Sequence, residues 1–313
     1  MEPAKYTVTP TPHIRMPISI EHIMRLVLLA LAPAGIIGVV FFGLWSLAVI
    51  IVTVASCIAF EALFQKITKQ PISVRDCSAA VTGLLLAFNL PPTVPLWLPV
   101  VGSFVAIIIA KQLFGGLGQN FINPALAGRA FLMAAYMPYM AGGFIAPFEG
   151  IDTITSATPL AEYSESIDNI TMLLGLHGGT IGETSAIALI LGGLFLMYKK
   201  IITWHVPTVY IGTVFIMVLI LNPGWSWNYA TFHILAGGLM LGAFFMATDY
   251  SSSPITPAGK IIMGLGCGVL TVLIRIYGGY PEGVSYAILF MNCCVPLIDK
   301  FTRPRIFGKK RRG

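Results

Sequence analysis

Charged side chains are scarce in this sequence. They make up 10% of its 313 residues, whereas a soluble globular domain carries about a quarter. Hydrophobic residues make up 56% of the chain, and its mean hydropathy is +0.83. A soluble fold of this composition would expose apolar surface to water over much of its exterior. The scarcity of charge therefore excludes an ordinary soluble enzyme and indicates an integral membrane protein that is surrounded by lipid.

Cysteines with the spacing of metal ligands are also lacking. None of the five cysteines forms a Cys-x-x-Cys pair, and the adjacent Cys293 and Cys294 suit neither an ordinary disulfide nor a zinc site. All five lie in or beside apolar segments, where cysteine behaves as a small buried hydrophobic residue. We expect no metal site and no iron–sulfur cluster held by this chain alone.

Long apolar segments fill most of the chain. Most of them approach the ~20 residues that a helix needs to cross the bilayer core, and the shorter ones are typical of helices that line a central site in transporters. The pattern predicts an all-α integral membrane fold with about ten transmembrane helices. The segments run approximately over 22–41, 42–65, 77–90, 95–113, 123–141, 184–198, 201–221, 229–248, 259–277 and 283–298.

Basic residues are distributed very unevenly. From Ala130 to Tyr198 there is no lysine or arginine, and this stretch contains a long acidic loop, 142–182. If the N-terminus lies inside and the chain crosses ten times, nearly all bases fall on the inner side. The positive-inside rule therefore predicts that both termini are cytoplasmic. A basic tail can bind nucleic acid, but directly after an apolar segment it favours a cytoplasmic end beside membrane lipid, and we expect no nucleic-acid partner.

Five predicted helices precede the long loop and five follow it, so the two halves would have opposite orientations. Short sequence echoes support a relationship between the halves: 114–116 resembles 277–279, and 83–86 resembles 238–241. These features predict an inverted repeat. The expected divisions are a cytoplasmic arm 1–21, a first five-helix repeat 22–141, an outer loop 142–182, a second five-helix repeat 183–299 and a basic tail 300–313.

Two polar segments lie at predicted inner ends of helices. Segment 115–124 combines three glycines, which free the backbone, with the amides of Asn120 and Asn123, and Pro124 is suited to begin a helix. Segment 247–254 places Asp249 among hydroxyl side chains. Either segment suits an ion or the polar edge of a flavin ring, and either suits an ordinary turn. The residues alone leave both interpretations open.

A third polar segment, 179–185, lies at the predicted outer start of the sixth helix. Thr180 and Glu183 have the spacing of a capping box, which is typical of a helix start. A carboxylate at a membrane face, here followed by Thr184 and Ser185, also suits an ion pathway. Charges within or beside apolar segments cost about 2.5–3.5 kcal/mol each and so indicate function. These charges are Glu21, Arg25, Glu61, Arg129, Arg275 and Glu282, of which Arg129 is the hardest to explain by position near a helix end.

The outer loop carries a fourth polar segment without bases. Its residues Asp152, Thr155, Ser156, Ala157 and Thr158 resemble the pattern D-x-x-[ST]-[SG]-A-T, at which a flavin transferase attaches FMN to threonine through a phosphoester. Ser156 stands where the common form has glycine. The resemblance implies that Thr158 is the attachment residue and that Asp152 helps to hold the metal–flavin donor.

Residues from about 5 to 300 resemble the family of membrane proteins that includes RnfD of the Rnf electron-transport complex and NqrB of the sodium-pumping NADH:quinone reductase. Segments 115–124, 182–185 and 247–254 also carry this resemblance, and Tyr250 replaces a proline of many relatives. The first apolar segment begins near residue 22 without a long preceding extension, which favours the Rnf type.

The resemblance implies a fold similar to urea transporters, covalent FMN at Thr158 and a second, non-covalent flavin, riboflavin. Electrons would pass between ferredoxin and NAD+ through other subunits of the Rnf complex, coupled to Na+ or H+ transport across the bacterial inner membrane. The chain would be part of a translocase without catalytic side chains of its own, because the flavins supply the redox chemistry. Candidate flavin or ion contacts are Asn120, Asn123, Arg129, Glu183, Thr184, Ser185 and Asp249.

We expect ions to cross at the interface of the two halves, where inverted-repeat transporters place their sites. Two other functions compete with the Rnf interpretation. An NqrB-like component of the sodium-pumping quinone reductase would differ in its partner subunits. A solute transporter similar to urea channels would have no redox role and no need of a flavin-transferase site.

The predicted topology is testable with a reporter that is active only in the outer compartment. Fused after Gly313, the reporter should be inactive, because the basic tail is predicted to be cytoplasmic. Inserted into the loop 142–182, the same reporter should be active. An active fusion at Gly313 would contradict the orientation and, with it, the inverted repeat.

Overall fold

The computed structural model describes residues 19–142, 144–148, 169–183, 185–221, 227–278 and 282–303. Within these ranges the regular secondary structure is entirely helical, so the all-α prediction is confirmed there. The N-terminal arm up to residue 18, the flavin-attachment motif, Thr184 and the tail from residue 304 lie outside the described residues. The helices are α1 Ile20–Phe42, α2 Leu44–Ile67, α3 Ser78–Phe88, α4 Trp97–Phe104, α5 Pro124–Ala135, α6 Met137–Ala141, α7 Asn169–Leu174, α8 Ala186–Tyr198, α9 His205–Leu221, α10 Trp227–Leu235, α11 Leu239–Leu241, α12 Pro257–Tyr277 and α13 Val284–Thr302.

Five helical segments are long and apolar enough to cross a membrane. They are α1, α2, α12, α13 and the segment Trp97–Phe114, in which α4 continues through a π turn at Val105–Ile109 and a 3₁₀ turn at Gln112–Phe114. A sixth forms if α10 and the segment Leu239–Met246 count as one bent span, and α3, α5, α8 and α9 are shorter apolar helices. The chain is therefore a multi-pass membrane protein. Each of the ten predicted apolar segments contains helix, while ten crossings and an inverted repeat remain predictions.

The predicted helix 229–248 is broken in the structure. Helix α10 ends at Leu235, Gly237 adopts a left-handed backbone with φ of 68°, and the next segment turns away by 64°. The guanidinium of Arg275 donates to the carbonyl oxygens of His233 and Ala236 at this break. The break is stable inside an apolar protein because Arg275 replaces the helical hydrogen bonds that these carbonyls lose.

Two short helical segments meet in the core. Helix α3 spans 11 residues, and α11 continues as a π turn at Gly242–Met246. Both are largely buried, and the amide nitrogen of Asn89, just after α3, lies 3.7 Å from the Met246 sulfur. The echoing segments 83–86 and 238–241 lie in these two elements.

Glycines let helices approach closely around this core. A β-carbon on Gly192 of α8 would lie 2.3 Å from the backbone oxygen of Ala30 on α1. Small residues at such contacts are a common basis of helix packing in membranes. Of the cysteines, Cys57 and Cys267 are buried as expected, whereas Cys293 is exposed, contrary to the expectation.

The α1–α8 contact predicts a specific effect of mutation. Gly192→Ala should lower the midpoint of thermal denaturation in detergent, because overpacking against the Ala30 carbonyl costs about 1–3 kcal/mol. Gly212→Ala in α9 is the matched control, since its β-carbon would meet no atom within 4 Å and alanine favours helix. Equal midpoints for the two variants would contradict the close contact.

Candidate functional site

Arg129 is buried in the centre of the protein, on α5, with 3% of its surface exposed. Its Nη1 donates to the side-chain oxygen of Asn89 at 2.7 Å and to the hydroxyl of Ser285 at 2.9 Å, and its Nη2 forms an ion pair with Glu282. The guanidinium thus joins the end of α3, α5 and the start of α13. The sequence marked Arg129 and Glu282 as charges in apolar surroundings, and the structure brings them together.

Glu183 lies close to the same guanidinium. The residue is 5% exposed, and its Oε2 accepts the backbone N–H of Thr180 at 3.2 Å. A β-carbon on Gly238 would lie 3.0 Å from Glu183 Oε1 and 3.8 Å from Arg129 Nη1, so both charged groups lie against this glycine. We call Asn89, Arg129, Glu183, Glu282 and Ser285 the Arg129 cluster.

The capping-box interpretation of Thr180 and Glu183 is wrong as a helix start. Helix α8 begins later, at Ala186, and its N-cap is Ser185, whose hydroxyl accepts the N–H of Ala188 at 3.3 Å. The contact between Thr180 and Glu183 belongs to a turn that precedes the helix. The candidate Ser185 therefore caps α8, whereas Thr184 lies outside the described residues.

Helix α5 begins at Pro124, as expected from the sequence, and Asn123 is its N-cap. Its side-chain oxygen accepts the N–H groups of Ala125 and Leu126 at 3.0 and 3.3 Å, and its amide nitrogen donates to the carbonyl of Met246 at 3.2 Å. The preceding glycines Gly115, Gly116 and Gly118 have φ values of 110°, 89° and 86°, which other residues rarely adopt. The loop therefore needs its glycines, and Asn123 attaches it to the second half of the chain.

Asp249 lies in a turn after the π turn that ends at Met246. Its Oδ2 accepts the hydroxyls of Ser251 at 3.1 Å and Ser252 at 2.9 Å, which hold the turn together. Burial raises the pKa of the Asp249 carboxyl, and hydrogen bonds from Ser252, Ser251 and Asn120 oppose that shift. The neighbouring hydrogen bonds thus offset only part of the cost of burying the charged carboxylate.

Asn120, Asn123 and Asp249 line one cleft, which encloses about 730 Å³ of space including the part open to the surface. Its walls are mainly apolar and include Met24 and Val27 of α1 with Phe244 and Phe245 of the second half. The structure therefore brings the three inner candidates together, and it places Arg129 and Glu183 in a separate cluster.

A buried ion pair lies at the edge of this cleft. Lys111 Nζ is 2.9 Å from Glu61 Oε1, and their side chains are 2% and 1% exposed. Lys111 also donates to the Ser78 hydroxyl at 2.6 Å, and the amide of Gln112 donates to Glu61 at 2.7 Å. Lys111 and Ser78 both line the cleft.

Sequence reasoning missed this pairing as well as Asn89 and Ser285. Glu61 is recognisable in the sequence as a charge in an apolar segment, but Lys111 is only one of the many bases that fall on the predicted inner side. The π turn before Lys111 changes the direction in which later side chains point, so the face of Lys111 cannot be deduced from a regular helix. Asn89 had a signal, since it is a lone amide between an apolar run and two prolines. Arg25, by contrast, is exposed and pairs with Glu21 near the helix start.

The fold is that of a polytopic membrane protein with a polar centre. It combines several apolar helices in a multi-pass arrangement with short helices that meet in the core and with buried ion pairs. Residues 7–308 match the model of the NQR2, RnfD, RnfE family, and the chain therefore belongs to that family.

Known members of the family are similar over nearly the whole chain. The D subunit of the Na(+)-translocating ferredoxin:NAD(+) oxidoreductase complex of Acetobacterium woodii is 51% identical over 315 residues, which cover 98% of this chain and 97% of the relative. The D subunit of the proton-translocating ferredoxin:NAD(+) oxidoreductase complex of Clostridium ljungdahlii is 46% identical over 327 residues, or 98% and 97% of the two chains. The D subunit of an ion-translocating oxidoreductase complex of Escherichia coli is 35% identical over 352 residues, or 98% and 99%. The resemblance to RnfD of the Rnf complex is thus confirmed.

The buried ion pair predicts a non-additive pair of mutations. Lys111→Met should destabilise the protein by about 3–5 kcal/mol, because it leaves the Glu61 carboxylate buried without its counter-ion. The double variant Lys111→Met/Glu61→Gln should recover most of this loss. The stability of both variants can be measured by heating the protein in detergent and quantifying the remaining monodisperse fraction by size-exclusion chromatography.

The exposed pair of Arg25 and Glu21 provides the control for this experiment. Arg25→Met should change stability by at most about 1 kcal/mol, since exposed ion pairs contribute little. If the double variant were no more stable than Lys111→Met alone, the unpaired Glu61 carboxylate would not be the cause of the destabilisation.

Proposed function

We propose that this chain is the flavin-carrying membrane subunit of an ion-translocating ferredoxin:NAD+ oxidoreductase complex of the Rnf type. The observation that carries the proposal is the 51% and 46% identity, over 98% of the chain, to relatives named as the D subunits of such complexes. The chain acts with the other subunits of the complex. Bound flavins supply the electron-transfer chemistry, while the protein positions them.

FMN is attached to Thr158 by a flavin transferase in this proposal. Asp152, Thr155, Ser156 and Ala157 complete the attachment motif, and the proline after Thr158 favours an extended backbone that presents the hydroxyl to an external enzyme. The absence of lysine and arginine from Ala130 to Tyr198 supports a covalent anchor, since the loop offers no base to capture a phosphate. All five motif residues lie outside the described part of the chain.

The non-covalent flavin, riboflavin, binds in the inner cleft. Apolar walls that include Phe244 and Phe245 suit an isoalloxazine ring. The amides of Asn120 and Asn123 and the carboxylate of Asp249 suit its hydrogen-bonding edge.

Na+ or H+ crosses at the interface of the two halves, between the inner residues around Asp249 and the outer segment with Glu183 and Thr184. The names of the relatives include both a Na(+)-translocating and a proton-translocating complex, so the family alone does not select the ion. An inverted pair of five-helix repeats is supported by the meeting of α3 with the segment Leu239–Met246 and by their sequence echo. Both termini are placed in the cytoplasm by the distribution of bases.

Denaturing-gel fluorescence tests the covalent flavin. Wild type should show a fluorescent band, and Thr158→Ala should show none, because the variant lacks the acceptor hydroxyl. Thr155→Ala is the matched control: it removes a neighbouring hydroxyl and should retain fluorescence, weakened if Thr155 contributes to recognition. A fluorescent Thr158→Ala band would contradict the assignment.

A further inference from the structure

Helix α8 ends in a turn at a position that glycine usually occupies. The N–H of Ile201 binds the Leu196 carbonyl at 2.9 Å, and the N–H of Lys200 binds the Met197 carbonyl at the same distance. Lys200 has a φ of 58°, a left-handed conformation that is unfavourable for residues with a β-carbon. Its positive charge at the helix C-terminus offsets part of this strain. The lysine side chain is therefore expected to have a further role at this point.

Three lysines belong to the segments that meet at this turn. Lys199 and Lys200 follow the end of α8, and both are exposed. Lys260, in the first turn of α12, donates from Nζ to Thr203 Oγ1 at 3.2 Å, so it reaches the loop between α8 and α9. None of the three forms an ion pair with a carboxylate among the described residues. A cation at a helix N-terminus, as Lys260 is, is unfavourable by itself, so this surface suits an anionic partner.

Aromatic side chains flank these lysines at the border of the apolar surface. Tyr198 is 80% exposed and Trp204 is 57% exposed, and the indole of Trp204 stacks on His205 with ring centres 4.3 Å apart. Lys199 Nζ lies 5.8 Å from the centre of the Tyr198 ring. Leu194, one turn before Tyr198 on α8, is also exposed. Tyrosine and tryptophan beside an apolar surface are typical of the depth at which lipid headgroups lie.

We propose that Lys199, Lys200 and Lys260 bind the phosphate of one anionic phospholipid. We call these lysines and Trp204 the Lys200 patch. Basic pockets between membrane helices on the cytoplasmic side bind anionic headgroups, and the distribution of bases places this end of α8 on that side. The exposed apolar surface of α8 next to the patch suits acyl chains, which a free phosphate ion lacks. The inference is independent of flavin binding and ion transport, because it uses only the ends of α8, α9 and α12.

Native mass spectrometry of the full-length chain in a non-ionic detergent tests the proposal, with phosphatidylglycerol as the probe. The wild type should bind this lipid at least about tenfold more tightly than phosphatidylcholine, which has no net charge. Lys200→Gly/Lys260→Gln should bind phosphatidylglycerol about tenfold more weakly than the wild type, because two of the three ammonium groups are lost. Inorganic phosphate should not displace the bound lipid.

Lys200→Gly separates lost binding from lost stability. Glycine relieves the left-handed strain, so this variant should denature at the wild-type temperature or above it in lipid-free detergent. Lys260→Gln alone leaves the turn untouched and should also weaken lipid binding, which keeps the test open if the double variant does not fold.

Lys69→Gly is the matched control. Lys69 occupies the same position after α2, with a φ of 55°, but the following loop 70–77 contains no aromatic residue. This variant should bind phosphatidylglycerol like the wild type. An equal loss of binding in Lys69→Gly, wild-type affinity in the double variant, equal affinity for the two lipids, or displacement by inorganic phosphate would each overturn the proposal.

Discussion

The Arg129 guanidinium is the interaction on which the arrangement of the core depends. A buried guanidinium has five N–H donors in a fixed plane, and each needs an acceptor in a defined direction. Asn89, Ser285 and Glu282 supply acceptors from the end of α3 and the start of α13. These segments are far apart in sequence, so one side chain fixes the relative position of elements from both halves.

The same principle explains why short helices are stable in the interior. Helix α3 and the segment Leu239–Met246 end among buried residues, where the terminal carbonyls need hydrogen-bond partners from the protein. Asn123 donates to the Met246 carbonyl, and Arg275 donates to the carbonyl of Ala236, just after α10. Polar side chains therefore donate hydrogen bonds to the carbonyls that the helix breaks leave unpaired. The cleft and the Arg129 cluster lie beside these breaks.

Sequence reasoning found the apolar segments, the helix start at Pro124 and the unusual position of Arg129. Each follows from local chemistry: hydrophobic length, capping and the cost of a buried charge. It did not find the partner of Glu61, because Lys111 lies 50 residues further on, behind a π turn. It also predicted an unbroken helix over 229–248, since the break depends on Arg275 from another helix. Residues that are distant in sequence leave no periodic pattern when they pair. These contacts could therefore be recognised only in the folded structure.

The two π turns have a consequence for how the chain length is used. Each closes with a bond from residue i+5 to residue i: Ala110 to the Val105 carbonyl at 2.9 Å, and Ala247 to the Gly242 carbonyl at 2.7 Å. A π turn holds one residue more than an α turn over the same rise. Both turns lie immediately before polar segments, those with Lys111 and Asp249. One extra residue in each turn thus rotates the side chains that follow it, and Lys111 and Asp249, which come after the two turns, both line the cleft.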